Sequence, residues 1–339
     1  MNTPRLPRLA VLLGDPAGVG PEMAVKLLAR ERNRQAADLL LITDPVMLAD
    51  AQRIAGHTLD TVPVPGLDQL RFEPGRVSVL FTDWLGGRSP VLGQSTTEAG
   101  RASFLALEKA LDAIAAGLCD GLVFAPLNKH SLRLGGLEEE DELRHMQARL
   151  GVPGFVCEFN ITGSLWTSRV TSHVPIREVA DLITQEGVCD AVRIIDGALR
   201  QAGVARPRIA VSGLNPHAGD GGSIGMEEIE VIAPAVRRMQ EAGVDARGPF
   251  SPDTVFLAAR RGDYDAVVSM FHDQGQIAMK LMGFEQGVTL HGGLPVPAVT
   301  SASGSAFDIA GKGVANIEGL QQAYDLCVRM AAARLAQAA

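Results

Sequence analysis

The stretch RLAVLLGDPAGVGPE, Arg8–Glu22, reads as a strand, a tight turn and the opening of a helix, and that order decides the fold class. Its apolar run stops at Gly14-Asp15-Pro16. So short a run, bounded by turn residues, suits a strand buried on both faces. Pro21 suits the first turn of a helix, where a backbone N–H has no partner to lose. The same figure recurs in LLLITD (Leu39–Asp44), VSVLFTD (Val77–Asp83), DGLVFAP (Asp120–Pro126), PRIAVSGLN (Pro207–Asn215) and YDAVVSMFHD (Tyr264–Asp273). Between these runs, helical patterns cover Pro21–Arg30, Ser95–Gly117, Glu178–Gln201 and Met226–Gly243, with Ser95 and Glu98 forming a capping box. Strands alternating with helices predict an α/β fold built on a largely parallel sheet, with ligands gathering at the carboxyl ends of the strands. Val152–Pro175 breaks the rhythm: two extended runs meet at Gly163, which predicts an antiparallel insertion. The reading is a discontinuous first α/β domain, residues 1–130 plus 295–339, with a second, residues 131–294, inserted into it.

The bulk properties narrow the function. The 339 residues are 46% hydrophobic and 21% charged, the balance of a folded enzyme rather than a disordered chain. A net charge of -8 and no basic stripe argue against a nucleic-acid surface. The four cysteines, Cys119, Cys157, Cys189 and Cys327, form no metal-ligand or disulfide spacing, which fits a reducing, cytoplasmic setting. No segment has the length of a membrane span or of a signal-peptide core.

Three of the seven histidines stand where strand-like runs end: His173 in VTSHVP, His217 in GLNPHAGDGG and His272 in SMFHDQG. One such histidine is more often structural; three in polar, turn-rich surroundings suit a shared metal site, with Asp273 as a partner that orients His272. Lys280, eight residues beyond His272, is either a solvated side chain or a cation that binds a carboxylate or delivers a proton. Asp253, in GPFSPDTVF, suits a helix N-cap and equally a base or a metal-site carboxylate. GDPAGVGPE lacks both the dinucleotide fingerprint and the Lys-Ser/Thr of a phosphate loop. It is either a tight turn alone or a loop that presents Asp15 to a ligand at a helix N-terminus. GSAFDIAGKG, Gly304–Gly313, is rich in small residues and lets backbone approach a flat cofactor. The acidic stretch GGLEEEDEL, Gly135–Leu143, reads first as a solvated connector.

Taken together, GDPAGVGPE, APLNK, SHVPIREVAD, GLNPHAGDGGSIGMEE, GPFSPDTVF, YDAVVSMFHDQGQIAMK and SAFDIAGKGVAN resemble, in order and over nearly the whole chain, the 4-hydroxythreonine-4-phosphate dehydrogenase (PdxA) family of pyridoxine biosynthesis. The resemblance implies an isopropylmalate dehydrogenase-like fold of two α/β/α domains with an interdomain cleft. It also implies a homodimer with the active site at its interface. NAD or NADP would be the oxidant, and a divalent metal, zinc before magnesium or cobalt, would sit on His173, His217 and His272. The reaction implied is oxidation of a secondary alcohol in a small β-hydroxy acid with coupled decarboxylation. Lys280 and Asp253 match catalytic positions. Asp15, Asn128, Lys129, Lys280 and Thr289 match substrate-binding positions, and Gly304, Ser305, Asp308 and Asn316 fall on the cofactor segment.

The chain departs from the family pattern at several of these places. Asp141-Glu142-Leu143-Arg144 replaces the Gly-His-Thr-Glu that holds phosphate. Thr289 and Ala298 replace a substrate-contacting Asn and Arg, and Ala302-Ser303-Gly304 replaces Asp-His-Gly. A carboxylate facing a phosphate ~4 Å away costs about 4 kcal/mol per unit charge pair at an effective dielectric near 20. These departures raise an alternative: an unphosphorylated substrate such as an aromatic cis-dihydrodiol carboxylate, as in the terephthalate dihydrodiol dehydrogenases of the family.

Overall fold

The computed structural model describes residues 5–283 and 286–338. They form two compact units, residues 1–153 with 294–339 and residues 154–293. In the first, β1 (Arg8–Leu12) leads through the glycine turn into α1 (Gly20–Ala29) and α2 (Glu31–Ala36). Then come β2 (Asp38–Thr43), α3 (Pro45–Ala55), β3 (Thr61–Val64), β4 (Val77–Phe81), α4 (Thr97–Ala115), β5 (Gly121–Phe124), α5 (Lys129–Gly135) and α6 (Glu142–Arg149). The second unit holds β6 (Cys157–Thr162), β7 (Leu165–Arg169), α7 (Val179–Leu182), α8 (Gln185–Gln201), β8 (Arg208–Ser212), α9 (Ala233–Glu241), β9 (Asp245–Phe250), α10 (Val255–Arg260), β10 (Ala266–Ser269), α11 (His272–Gly283) and β11 (Val288–Gly292). The chain then returns to the first unit with β12 (Ala298–Ser301) and α12 (Glu318–Ala338).

In the first unit the strand order is β3-β4-β2-β1-β5-β12, with every pair parallel. Leu9 to Leu12 are at most 1% exposed, as expected of a strand covered on both faces. Leu40, Leu107, Leu111 and Phe124 pack with Ala10 and Leu12 in one core. The order reverses between β1 and β5, and the crevice outside such a reversal is where open α/β sheets bind ligands. The stretch 131–153, which the sequence reading places in the second domain, belongs to this unit, with α5 packed along α4.

The second unit is mixed. Strands β7, β10, β8 and β9 run parallel, and β11-β6-β7 form an antiparallel ribbon on the other side of β7. The β6–β7 hairpin turns at Gly163-Ser164, where Gly163 adopts a φ of 59°, so the antiparallel insertion read from the sequence is present. Two helix ends differ from expectation. The cap of α4 is Thr96, accepting from the Ala99 amide at 3.1 Å, while the Ser95 hydroxyl bonds Asn128 instead. The pattern Glu178–Gln201 divides at Ile183-Thr184, and Thr184 caps α8. Among the described residues no helix is long and apolar enough to cross a membrane.

Candidate active site

In the second unit the three predicted metal histidines follow three strands that are neighbours in the sheet. His173 lies just after β7, His272 just after β10 and His217 just after β8, and β10 pairs with both others. Parallel strands end on the same side, so their following loops must meet there. The loop after β7 is tied to that after β10 by Val170 N–H to Ser269 O at 3.0 Å and Thr171 N–H to Met270 O at 3.1 Å. The rings of His173 and His272 then stand 5.7 Å apart, centroid to centroid. Gln274 ties the loop after β10 to that after β8: its Oε1 accepts the Met270 amide at 2.7 Å and its Nε2 donates to Gly213 O at 2.9 Å.

Second partners orient these rings. Asp273 Oδ1 lies 2.6 Å from His272 Nδ1, which leaves Nε2 as the outward nitrogen. Asp253 is not a helix cap: the cap position of α10 is Thr254, and Asp253 accepts from the Ser251 hydroxyl at 2.6 Å. That hydrogen bond, aided by nearby His217, holds the exposed Asp253 carboxyl below its ordinary range, so it stays ionised. Three imidazoles on loops that follow adjacent strands at one edge of the sheet, two of them with ring centroids 5.7 Å apart, are a donor set whose chemistry suits a divalent cation of zinc type.

Lys280 shares α11 with His272. It lies two turns along α11 from His272, on the order of 12 Å of helix rise, and lines a cavity of about 920 Å³ with Thr162, Gly163 and Arg260. Thr289 lies on β11 opposite Asn160.

Sequence reading missed Glu228, which the structure makes the anchor of the His217 loop. Only 2% exposed, its Oε1 accepts the Leu214 and Asn215 amides, both at 2.7 Å, and its Oε2 accepts from Asn215 Nδ2 at 2.9 Å. The one available signal was a carboxylate in GMEE, shortly after the glycine-rich loop.

In the first unit three distant motifs converge at the reversal point of the sheet. The Asp15 amide donates to Pro126 O at 3.0 Å, and the Val19 amide to Ser305 O at 2.9 Å. Gly18 is required there, since a Cβ would lie 2.7 Å from the Ser305 carbonyl oxygen. Asp15 is fully buried and accepts the Ala17 amide at 2.8 Å, so it holds the turn; burial pushes its carboxyl up, the Ser131 hydroxyl and that amide opposing the shift. Asn128 caps α5 through the Ser131 amide at 2.9 Å, and Lys129 beside it is exposed. Ser305 keeps a buried hydroxyl with no hydrogen-bond partner, Gly304 has open space where a Cβ would stand, and Asp308 is exposed. Asn316, also exposed, accepts the Glu318 amide at 2.9 Å at the start of α12. An orphaned hydroxyl beside an open glycine fits a segment that receives a polar cofactor.

The acidic run is solvated only in part: Glu138 and Glu140 are exposed, while its end turns inward. Asp141 and Glu142 are 5% and 8% exposed, and Asp141 caps α6 by accepting the Arg144 amide at 2.9 Å. His145 joins the run to α4, with Nδ1 at 2.9 Å from Glu139 and Nε2 at 2.7 Å from Glu108, its ring against Phe104. The bond to His145 holds the Glu139 carboxyl below its ordinary range. A depressed carboxyl stabilises the fold above its unfolded-state pKa, and that contribution is lost as pH falls through the lowered value. Glu139→Gln is therefore expected to lower the thermal midpoint at neutral pH, and the difference from wild type should vanish on acidification below about pH 4. Glu139 is a third exposed, so the loss stays below about 1 kcal/mol. A difference that grows in acid would contradict this account.

Residues 35–327 match the family described as pyridoxal phosphate biosynthetic protein PdxA. The chain belongs to the PdxA family. One relative, from Pseudomonas aeruginosa and named "Putative 4-hydroxythreonine-4-phosphate dehydrogenase 2", is 48% identical over 97% of this chain and 98% of its own length. A solved 4-hydroxythreonine-4-phosphate dehydrogenase from Burkholderia phymatum is 34% identical, with a TM-score of 0.78, covering 96% of this chain and 98% of its own. PdxA relatives are named as dehydrogenases, so the family is one of oxidoreductases. A solved terephthalate 1,2-cis-dihydrodiol dehydrogenase from Burkholderia xenovorans covers the same shares at 28% identity and a TM-score of 0.68. The dihydrodiol alternative is therefore not favoured. A β-decarboxylating dehydrogenase from Thermococcus kodakarensis, at 16% identity and a TM-score of 0.52 over 94% of this chain and 82% of its own, shares the fold alone, which places the chain in the isopropylmalate dehydrogenase-like class.

Proposed function

We propose that the chain is a metal-dependent NAD(P) dehydrogenase that oxidises the secondary alcohol of 4-hydroxythreonine-4-phosphate, or a close phosphorylated β-hydroxy acid, with loss of carbon dioxide. The observation that supports this reading is that His173, His217 and His272 follow three adjacent strands at one edge of the sheet, with the His173 and His272 rings 5.7 Å apart. These residues would hold the cation, zinc by their chemistry, and a cation there supplies Lewis acidity for ionising an alcohol and stabilising an enolate.

The chain's own groups divide the remaining work. Asp273 fixes the His272 ring. Asp253, kept ionised, holds negative charge beside His217 and is a weak base. Asp15 secures the turn that faces Pro126, leaving Asn128 and Lys129 at the strand ends to meet substrate oxygens. Thr289 would bind substrate from the second unit. The nicotinamide nucleotide, NAD or NADP, would lie along Gly304, Ser305, Asp308 and Asn316. Lys280 is the acid for protonating the carbanion. The family resemblance supports a homodimer with the site at its interface. The second unit acts as an inserted domain. The free, buried cysteines support a cytoplasmic setting.

The test is a cofactor-omission assay on the zinc-loaded chain. Nicotinamide reduction and carbon dioxide release should appear together on the phosphorylated acid, and both should stop when the nucleotide is left out or the metal is chelated. Turnover on the unphosphorylated acid alone, or product formed without nucleotide, would overturn the proposal.

A further inference from the structure

The antiparallel ribbon of the second unit carries a buried polar layer that the function above does not use. Arg169, only 5% exposed, donates to three acceptors: Nη2 to Glu158 Oε2 at 2.7 Å, Nη1 to Asn160 Oδ1 at 2.9 Å and Nε to Ser172 Oγ at 3.0 Å. Asn160 Oδ1 accepts a second bond, from Gln276 Nε2 on α11. Both ends of this chain meet histidine-bearing elements. Ser172 directly precedes His173, and Gln276 lies one helical turn beyond His272, on the same side of α11.

Stability alone does not account for such a layer. A buried ion pair of this kind contributes little compared with apolar residues of the same volume, because desolvation offsets the attraction; what it supplies is a fixed geometry. Here a rigid guanidinium fork sets Ser172, Asn160 and Glu158 relative to one another, and Asn160 passes that constraint to α11.

We propose that Asn160 is a positioning residue for the metal site: its single side-chain oxygen, shared by Arg169 and Gln276, fixes the His173 loop against the helix that begins at His272, and so sets the separation of two ligand rings. This rests on the reading that the three histidines bind a metal. The effect expected of such outer partners is a change of about tenfold or more in metal affinity.

The experiment is titration of the metal-free, full-length protein with cobalt(II) alone, following its absorption spectrum and stoichiometry, with the metal-free thermal midpoint measured alongside. Asn160→Leu should weaken cobalt binding about tenfold or more and alter the spectrum. Gln276→Met, which removes one of the two donors, should show a smaller change of the same sign. Asn160→Asp keeps an oxygen for both donors and should restore wild-type binding. If Asn160→Leu does not fold, Gln276→Met against Asn160→Asp carries the comparison. Wild-type affinity and spectrum in both Asn160→Leu and Gln276→Met would overturn the inference, as would an Asp variant no better than the Leu variant. Failure of the wild-type chain to take up cobalt would instead remove the metal reading itself, and this inference with it.

Discussion

Gly100→Ala is expected to destabilise the first unit by about 3–5 kcal/mol, although in a helix alone the same change gains up to about 1 kcal/mol. A Cβ at Gly100 would lie 1.7 Å from the Ser131 carbonyl oxygen and 2.5 Å from its carbon, and one at Gly135 would lie 2.1 Å from the Gly100 carbonyl carbon. Helices α4 and α5 therefore touch backbone to backbone. No rotamer change relieves a clash between main chains, so the helices must separate and open the core between them. The effect reaches function because α5 begins at Asn128 and Lys129, whose placement follows the α4–α5 contact. Gly197→Ala in α8 is the matched control. Nothing stands within 4 Å of a Cβ there, and the variant should be as stable as wild type or gain about 0.5–1 kcal/mol. Denaturant unfolding of the two variants separates propensity from packing. A Gly100→Ala chain as stable as wild type would refute the backbone contact.

Local features of the fold were legible because local sequence determines them. The run Arg8–Leu12 with its glycine turn is a strand leading to a helix, and Gly163 marks a hairpin, since apolar runs and turn residues act over a few residues. The histidines were legible as residues at strand ends. Nothing in the sequence says that β7, β10 and β8 are neighbours, because strand order depends on contacts across roughly a hundred residues. Side-chain roles among close competitors were equally hidden. Ser95 and Thr96 are both good caps, and Thr96 is chosen while Asn128 engages Ser95. Asp253 has the sequence context of a cap, yet Ser251 takes its carboxylate. The acidic run misled in part for the same reason: its charge suggests solvent, which holds for Glu138 and Glu140, while helix capping draws Asp141 inward and Glu139 turns to His145.

Glu228 is the residue whose loss should most disturb the candidate metal site without touching a ligand. From His217 to Gly221 five successive residues hold positive φ, 56°, 53°, 79°, 44° and 65°, and three of them are not glycine. Such residues cost on the order of 1 kcal/mol each in this region and persist only where their surroundings fix them. Glu228 does so from beneath: a Cβ at Gly219 would stand 2.7 Å from its Oε2, so the glycine and the carboxylate require each other. Glu228→Ala leaves the Leu214 and Asn215 amides without their acceptor, and the expected loss is about 3 kcal/mol or more. With the loop released, His217 leaves its position, and zinc affinity should fall about 10–100-fold. Glu228→Gln should behave differently. One amide oxygen still accepts both backbone N–H groups, and Asn215 Nδ2 retains Glu227 at 2.7 Å, so the cost is about 1 kcal/mol and zinc binding stays near wild type. Thermal midpoints of the metal-free proteins and zinc titrations of both variants decide the matter. An alanine variant with wild-type stability and zinc affinity would show that the left-handed turn holds itself, and equal losses in the Gln and Ala variants would show that charge rather than the acceptor geometry fixes the loop.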